Sequence, residues 1–216
     1  MKANLHTYID HTNLKQNATK TDIKKLCNEA LDWKFATIAI NSCWTKYAAS
    51  YLAGSGVGVT TCIGFPLGAT STTAKAAEAS KAVEDGTTEI DMVQNVGHLL
   101  MGDDTYVVED IAAVVRAAKG LPVKVILECC LLSKEQIIQA CKDAMSAHAA
   151  FVKTSTGFAS GGATISDVRL MKETVDDLCK VKAAGGIHNY EEALAMIDAG
   201  ADRIGSSASI KICKGL

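Results

Sequence analysis

Ala150-Phe151-Val152-Lys153-Thr154-Ser155-Thr156-Gly157 sets a lysine at the end of a short apolar run and closes with glycine. Val181-Lys182-Ala183-Ala184-Gly185-Gly186 repeats the arrangement further along the chain. Runs this apolar read as buried strands, and an isolated ammonium is costly to bury. Burial favours the neutral amine, and a second cation nearby favours it further, which leaves a nucleophile able to attack a carbonyl. The pair of runs points to Schiff-base chemistry carried on buried strands.

Working outward, similar short runs recur and alternate with amphipathic stretches. The spacing predicts strands over Thr7–Asp10, Ala36–Ile40, Val57–Ile63, Thr88–Val93, Val123–Glu128, Ala150–Thr154, Val181–Ala184 and Arg203–Gly205. Eight strands alternating with helices imply βαβ units, and hence an α/β fold that closes as a (β/α)8 barrel. Ser133 with Gln136, and Asn189 with Glu192, read as helix-starting capping boxes. Helices are expected over Ser71–Asp85 and Tyr106–Lys119, ended by Gly86 and Gly120, and Gly200 ends another. No linker or change of composition divides the chain, so residues 1–216 read as one domain. An open doubly wound sheet is the alternative, but the G-x-G-x-x-G that would mark it is absent.

Composition narrows the class. The 216 residues are 48% hydrophobic and 21% charged, with a net charge of −2, enough for a large core and without the basic excess of a nucleic-acid binder. The eight cysteines form no C-x-x-C pair, and Met1 to Leu14 lacks the apolar stretch of a secretory signal. Reduced cysteines in a cytoplasmic protein are expected. No apolar run approaches the ~20 residues that span a bilayer, so no membrane partner is expected.

In a barrel, reacting groups come from the C-terminal ends of the strands. Those ends read Asp10, Asn41, Pro66, Asp91, Glu128, Lys153, Lys182 and Ser206. In Glu89-Ile90-Asp91-Met92-Val93 the period of two turns both acids into the barrel. Gly185-Gly186 and Gly205-Ser206-Ser207 follow the last two strands, where barrels commonly hold a phosphate, and Gly157 adds a third glycine-bearing turn. His6, His11, His98, His148 and His188 are scattered and make no metal-ligand motif, so no metal is expected. A metal-assisted aldolase or isomerase using Asp91 and Glu128 is the competing enzyme reading, and a non-catalytic sugar-phosphate-binding barrel is the competing reading of another class.

The chain resembles the deoxyribose-phosphate aldolase family over almost its whole length. The likeness rests on Tyr8-Ile9-Asp10-His11-Thr12, Ile63-Gly64-Phe65-Pro66-Leu67-Gly68, Glu89-Ile90-Asp91-Met92-Val93, Val125-Ile126-Leu127-Glu128, Lys153-Thr154-Ser155-Thr156-Gly157-Phe158, Lys182-Ala183-Ala184-Gly185-Gly186-Ile187 and Arg203-Ile204-Gly205-Ser206-Ser207. The resemblance implies a TIM barrel with Lys153 as the Schiff-base nucleophile and Asp91 and Lys182 as the proton-transfer pair. It implies a supporting role for Asp10, and a substrate and phosphate site drawn from Thr12, Asn41, Thr154, Gly157, Gly185, Gly186, Gly205, Ser206 and Ser207. It further implies reversible cleavage of 2-deoxy-D-ribose 5-phosphate to acetaldehyde and D-glyceraldehyde 3-phosphate, with the C3–C4 bond expected to break and no cofactor, in a possible homodimer. The chain departs from the family's usual pattern at Ala39, Ser42, Ala159-Ser160, Lys180, His188 and Ala208-Ser209.

Overall fold

The computed structural model describes residues 4–216. Eight parallel strands close in sequence order into a barrel: β1 (Ile9–Asn13), β2 (Thr37–Asn41), β3 (Gly58–Ile63), β4 (Glu89–Val93), β5 (Val123–Ile126), β6 (Phe151–Lys153), β7 (Lys180–Ala184) and β8 (Arg203–Ser206). Pairing of Ile9 with Ile204 joins β1 to β8 and rules out the open sheet. The helices between and after them are α1 (Lys20–Trp33), α2 (Thr45–Tyr51), α3 (Thr72–Glu84), α4 (Val96–Leu100), α5 (Asp104–Ala117), α6 (Lys134–Ser146), α7 (Ile165–Val175), α8 (Tyr190–Asp198) and α9 (Ser209–Cys213). Among the described residues no helix is long and apolar enough to cross a membrane.

Most strand ends lie within one residue of expectation, and two strands, β1 and β5, differ by more. Leu5–Tyr8 is a 3-10 turn, and β1 starts at Ile9 and runs on to Asn13. Register decides this: Asp10 lies between Thr37 of β2 and Gly205 of β8, so pairing continues through His11 and Thr12. At β5 the strand stops at Ile126, because Glu128 takes a left-handed φ of 57°.

The period of two sorts the side chains. Ile38, Ile40, Val59, Ile90, Met92, Val125, Val152, Val181 and Ile204 are buried in the shared apolar core. Each contributes about 1.5–3 kcal/mol through removal from water. The alternate positions fill the interior with Asp10, Thr37, Thr60, Glu89, Asp91, Lys124, Lys182 and Arg203, which hydrogen-bond to one another. Barrels of this kind usually stack branched apolar residues there, so the charged interior calls for a reason.

Helix starts follow local chemistry. Thr19 with Asp22 and Ser133 with Gln136 form reciprocal capping boxes, each cap contributing about 1 kcal/mol. Asn189 caps α8 by accepting from the Glu192 N–H, while the Glu192 carboxylate accepts from the His188 N–H at 2.6 Å. Between α3 and α5 the Lys75 ammonium meets Asp110 at 2.5 Å, both out of solvent, with Thr72 donating to the other Asp110 oxygen. Cys27, Cys62, Cys129, Cys141 and Cys179 are buried as free thiols, whereas Cys43 and Cys130 are exposed.

Candidate active site

A cavity of about 570 Å³ opens at the C-terminal face of the barrel. Lys153, the last residue of β6, reaches its floor and is 3% exposed. Thr12, Gly157, Gly185, Gly186, Gly205, Ser206 and Ser207 line it, as do His11, Glu29, Thr156, Phe158, Lys15, Lys25 and His188. Asn41 and Thr154 do not. The Asn41 amide donates to the Leu14 carbonyl at 3.2 Å, and the Thr154 hydroxyl is spent on Ala184 of β7, donating to its carbonyl and accepting from its N–H. Glu128 is likewise engaged: it accepts from the Thr156 N–H at 3.2 Å and from the Thr156 hydroxyl, which fixes the loop after β6.

Asp10, Asp91 and Lys182 sit within their strands and below the rim, fully buried beneath Lys153. Asp91 Oδ2 accepts from Lys153 Nζ at 2.8 Å and from Lys182 Nζ at 2.7 Å, so both amines converge on one oxygen. Lys153 and Lys182 are register partners on adjacent strands, as are Asp91 and Lys124.

Sequence reasoning missed two charged residues here. Lys124, fully buried between Val123 and Val125, contacts Asp91 at 2.9 Å and Glu89 at 2.6 Å. Arg203 contacts Asp10 at 2.6 Å and Glu89 at 3.2 Å. With Asp10 to Lys182 at 2.5 Å, the contacts close a ring of alternating charge: Arg203, Asp10, Lys182, Asp91, Lys124, Glu89 and back to Arg203. Lys153 hangs from this ring by Asp91 alone. The alternation of Val123-Lys124-Val125 was the available signal for Lys124, since it matches that of Glu89-Ile90-Asp91.

The charges perturb one another strongly. Burial would raise the Asp91 carboxyl, but Lys124, Lys153 and Lys182 outweigh it and hold Asp91 well below the ordinary carboxylate range. Asp10 is brought down to about 2, because Lys182, Lys124 and Arg203 together overcome its burial. Burial opposes the charge on Lys182, yet Asp10 and Asp91 raise it above the ordinary lysine value. Lys182 therefore rests as an ammonium. Cys62, in register with Asp91, is pushed up to about 12 by burial and stays a neutral thiol.

Three glycines shape the site. Gly185, at a left-handed φ of 86°, packs so closely on Gly162 that a Cβ on Gly162 would lie 2.4 Å from the Gly185 carbonyl oxygen. This contact, with the Ala163 N–H donating to the same oxygen, ties the loops after β6 and β7 together. Gly205 leaves room for Lys182, whose Cε would lie 3.1 Å from an added Cβ. Gly205→Ala should lower kcat by roughly 10- to 100-fold, the scale of small misplacements near reacting groups, with little change in the folded content measured by circular dichroism. An unchanged kcat would show that Lys182 has freedom to move aside.

His11 joins three elements at the cavity wall. Its Nε2 meets Glu29 of α1 at 2.9 Å and its Nδ1 meets Ser209 of α9 at 2.9 Å, while Ser209 donates to the Ser206 carbonyl. Burial lowers the His11 pKa against the pull of Glu29.

Comparison with known proteins agrees in extent and in name. The sequence model of the DeoC/LacD family aldolases matches residues 5–215. Deoxyribose-phosphate aldolase 1 of Mesoplasma florum is 54% identical over 211 residues, covering 98% of this chain and 96% of the relative. Deoxyribose-phosphate aldolase of Thermococcus gammatolerans is 55% identical, covering 96% and 94%. Among solved structures, the tetrameric deoxyribose phosphate aldolase of Aeropyrum pernix superimposes with a TM-score of 0.91 at 33% identity, over 97% of this chain and 89% of that one. From its motifs, its barrel and these relatives, the chain belongs to the DeoC/LacD family of aldolases.

Proposed function

We propose that the chain is a deoxyribose-phosphate aldolase that cleaves 2-deoxy-D-ribose 5-phosphate reversibly through a Schiff base on Lys153. One observation carries this: Lys153 alone among the four interior cations reaches the cavity, and it alone contacts a single carboxylate. Lys124, Lys182 and Arg203 each contact two. Lys153 is thus the interior cation placed to meet a substrate carbonyl.

In this reading the neutral Lys153 amine adds to the C1 aldehyde of the open-chain sugar, and loss of water gives the iminium. A base takes the C3 hydroxyl proton, and the electron pair of the C2–C3 bond moves into C2 and neutralises the iminium nitrogen. Electron flow places the break at C2–C3 rather than C3–C4, since only C2 adjoins the electron sink. D-Glyceraldehyde 3-phosphate leaves, the enamine takes a proton at C2, and hydrolysis releases acetaldehyde and the amine. Asp91 and Lys182 are the proton-transfer pair, because Asp91 Oδ2 touches both lysines and can pass a proton between Lys182 and Lys153, which reaches the cavity. Asp10 supports them by holding Lys182.

The turns bearing Gly185-Gly186 and Gly205-Ser206-Ser207 line the cavity and take the phosphate, with Lys15 and Lys25 on the same lining supplying positive charge and His188 beside them. Thr12 and Gly157 border the sugar. Free thiols fit a reducing compartment, so the cytoplasm belongs to the same reading. The tetrameric relative supports self-association, with a homodimer as its smallest form.

Incubation with acetaldehyde and borohydride tests the assignment. Peptide mass spectrometry should find an N-ethyl group on Lys153 and on no other lysine. An adduct on Lys182 instead, or none, would overturn it.

A further inference from the structure

The six-membered ring below Lys153 joins three cations, Arg203, Lys182 and Lys124, to three carboxylates, Asp10, Asp91 and Glu89. It is electrically balanced. A protonated Lys153 gives the barrel interior one positive charge in excess, and a neutral Lys153 leaves none. The ring lies almost wholly out of water, with Arg203 and Glu89 15% exposed and the other four side chains at 0%. Screening is weak there, so an excess charge is felt across the whole cluster.

We infer that Arg203 and Glu89, which line no part of the catalytic cavity, are positioning residues whose opposite charges set the protonation of Lys153 through the ring. This rests on the proposed Schiff base at Lys153. Arg203 acts through Asp10 and Lys182, and Glu89 acts through Lys124 and Asp91. The groups that face Lys153 or its partners are Asp10 from β1, Cys62 from β3, Glu89 and Asp91 from β4, Lys124 from β5, Lys182 from β7 and Arg203 from β8, with His11 on the cavity wall above. Cys62 is a neutral thiol, so the balance among the remaining charges is decided by ring residues.

Charge counting gives opposite signs for the two residues. Arg203→Met leaves three carboxylates facing three lysines, a set that is balanced only with Lys153 protonated. Glu89→Gln leaves four cations facing two carboxylates, which drives the proton off Lys153 more strongly. The double variant restores the original relation, one positive charge in excess with Lys153 protonated and none without.

The test is the pH profile of kcat/KM for cleavage, whose rising limb reports loss of the proton from the free enzyme's amine. The substrate phosphate titrates alike for every variant. Arg203→Met should move that limb up by roughly one pH unit and Glu89→Gln should move it down by a similar amount, the scale for a unit charge about 10 Å away in a weakly screened interior. The double variant should return near the wild-type position, and Arg203→Lys, which keeps the charge, should stay there. A merely structural role would lower activity in each variant without shifting the limb in opposite directions. Limbs that stay fixed, or a double variant displaced further than either single one, would overturn the inference. If Arg203→Met fails to fold, Glu89→Gln alone decides, by the direction in which its limb moves. Reductive trapping of wild-type enzyme with acetaldehyde is run alongside. An adduct on Lys153 with unmoved limbs refutes the charge coupling alone, whereas no adduct refutes the Schiff-base reading.

Discussion

Lys153→Ala should lose turnover by a factor on the order of 10⁴–10⁶, the scale seen when a covalent nucleophile is removed, while keeping its thermal stability. The two halves of this result come from the same contacts. Lys153 reaches the cavity floor, and among the interior cations it is the one placed to meet a substrate carbonyl. Its removal leaves the ring of Arg203, Asp10, Lys182, Asp91, Lys124 and Glu89 closed and balanced. A lysine truncated in a core would ordinarily cost several kcal/mol through the void left behind. Here the side chain borders an open cavity that water can enter, and the excess charge departs with it. The melting temperature should therefore stay within a few degrees of wild type while cleavage, measured by release of D-glyceraldehyde 3-phosphate, disappears. A variant that retains a hundredth of the activity would place the nucleophile elsewhere.

How much of this could be read from the chain depends on the residue. The barrel was legible because each strand is short, apolar and bounded by turn residues, and because helices between them carry their own caps. Lys153 was legible because it ends a strand and is followed by a distinctive turn. Asp91 and Glu89 were legible from alternation. Lys124 and Arg203 were not singled out, since a lone charge in or beside an apolar run is ordinarily a strand edge or a loop. Only the closure of the sheet brings Arg203 of β8 against Asp10 of β1. Thr154 and Asn41 show the opposite case. The family resemblance implied contact with the substrate, whereas Thr154 hydrogen-bonds Ala184 and Asn41 hydrogen-bonds Leu14. The shift of β1 has the same origin, because β propensity in Thr7-Tyr8 is local whereas the register of Asp10 with Thr37 and Gly205 is set by both neighbours.

The interior charge also explains why the usual apolar filling is absent. Schiff-base chemistry needs a lysine surrounded by groups able to carry protons. A barrel packed with leucine and valine would lack them. Alternating ion pairs supply them, provided every ring member has its partners, since buried charges left single are strongly destabilising. Gly205 belongs to this arrangement as well: by lacking a side chain it makes space for the Lys182 ammonium that Asp10 and Asp91 hold.

Asp91→Asn should be the most damaging single change, removing activity and about 3–5 kcal/mol of stability together, the scale of breaking a buried ion pair. Lys124, Lys153 and Lys182 all converge on this carboxylate. Neutralising it leaves three amines facing one another, with Asp10 and Glu89 as the nearest remaining anions. For a chain of this length the loss corresponds to a fall of roughly 10 °C in melting temperature at pH 7. The pH dependence has a definite sign. The folded-state pKa of Asp91 lies well below the unfolded value of 3.8, so its contribution is fully present above that value and is lost as pH falls toward the folded one. Asp10, at about 2 in the folded protein, behaves in the same way and loses its contribution between 3.8 and about 2. The wild type should therefore destabilise steeply below pH 4, and its advantage over Asp91→Asn should shrink there, because the asparagine has no proton left to take up. Denaturant unfolding of both proteins between pH 7 and pH 2.5 reads this difference directly. A gap that is absent at neutral pH, or that persists unchanged in acid, would mean that the three lysines find their counter-charge somewhere other than Asp91.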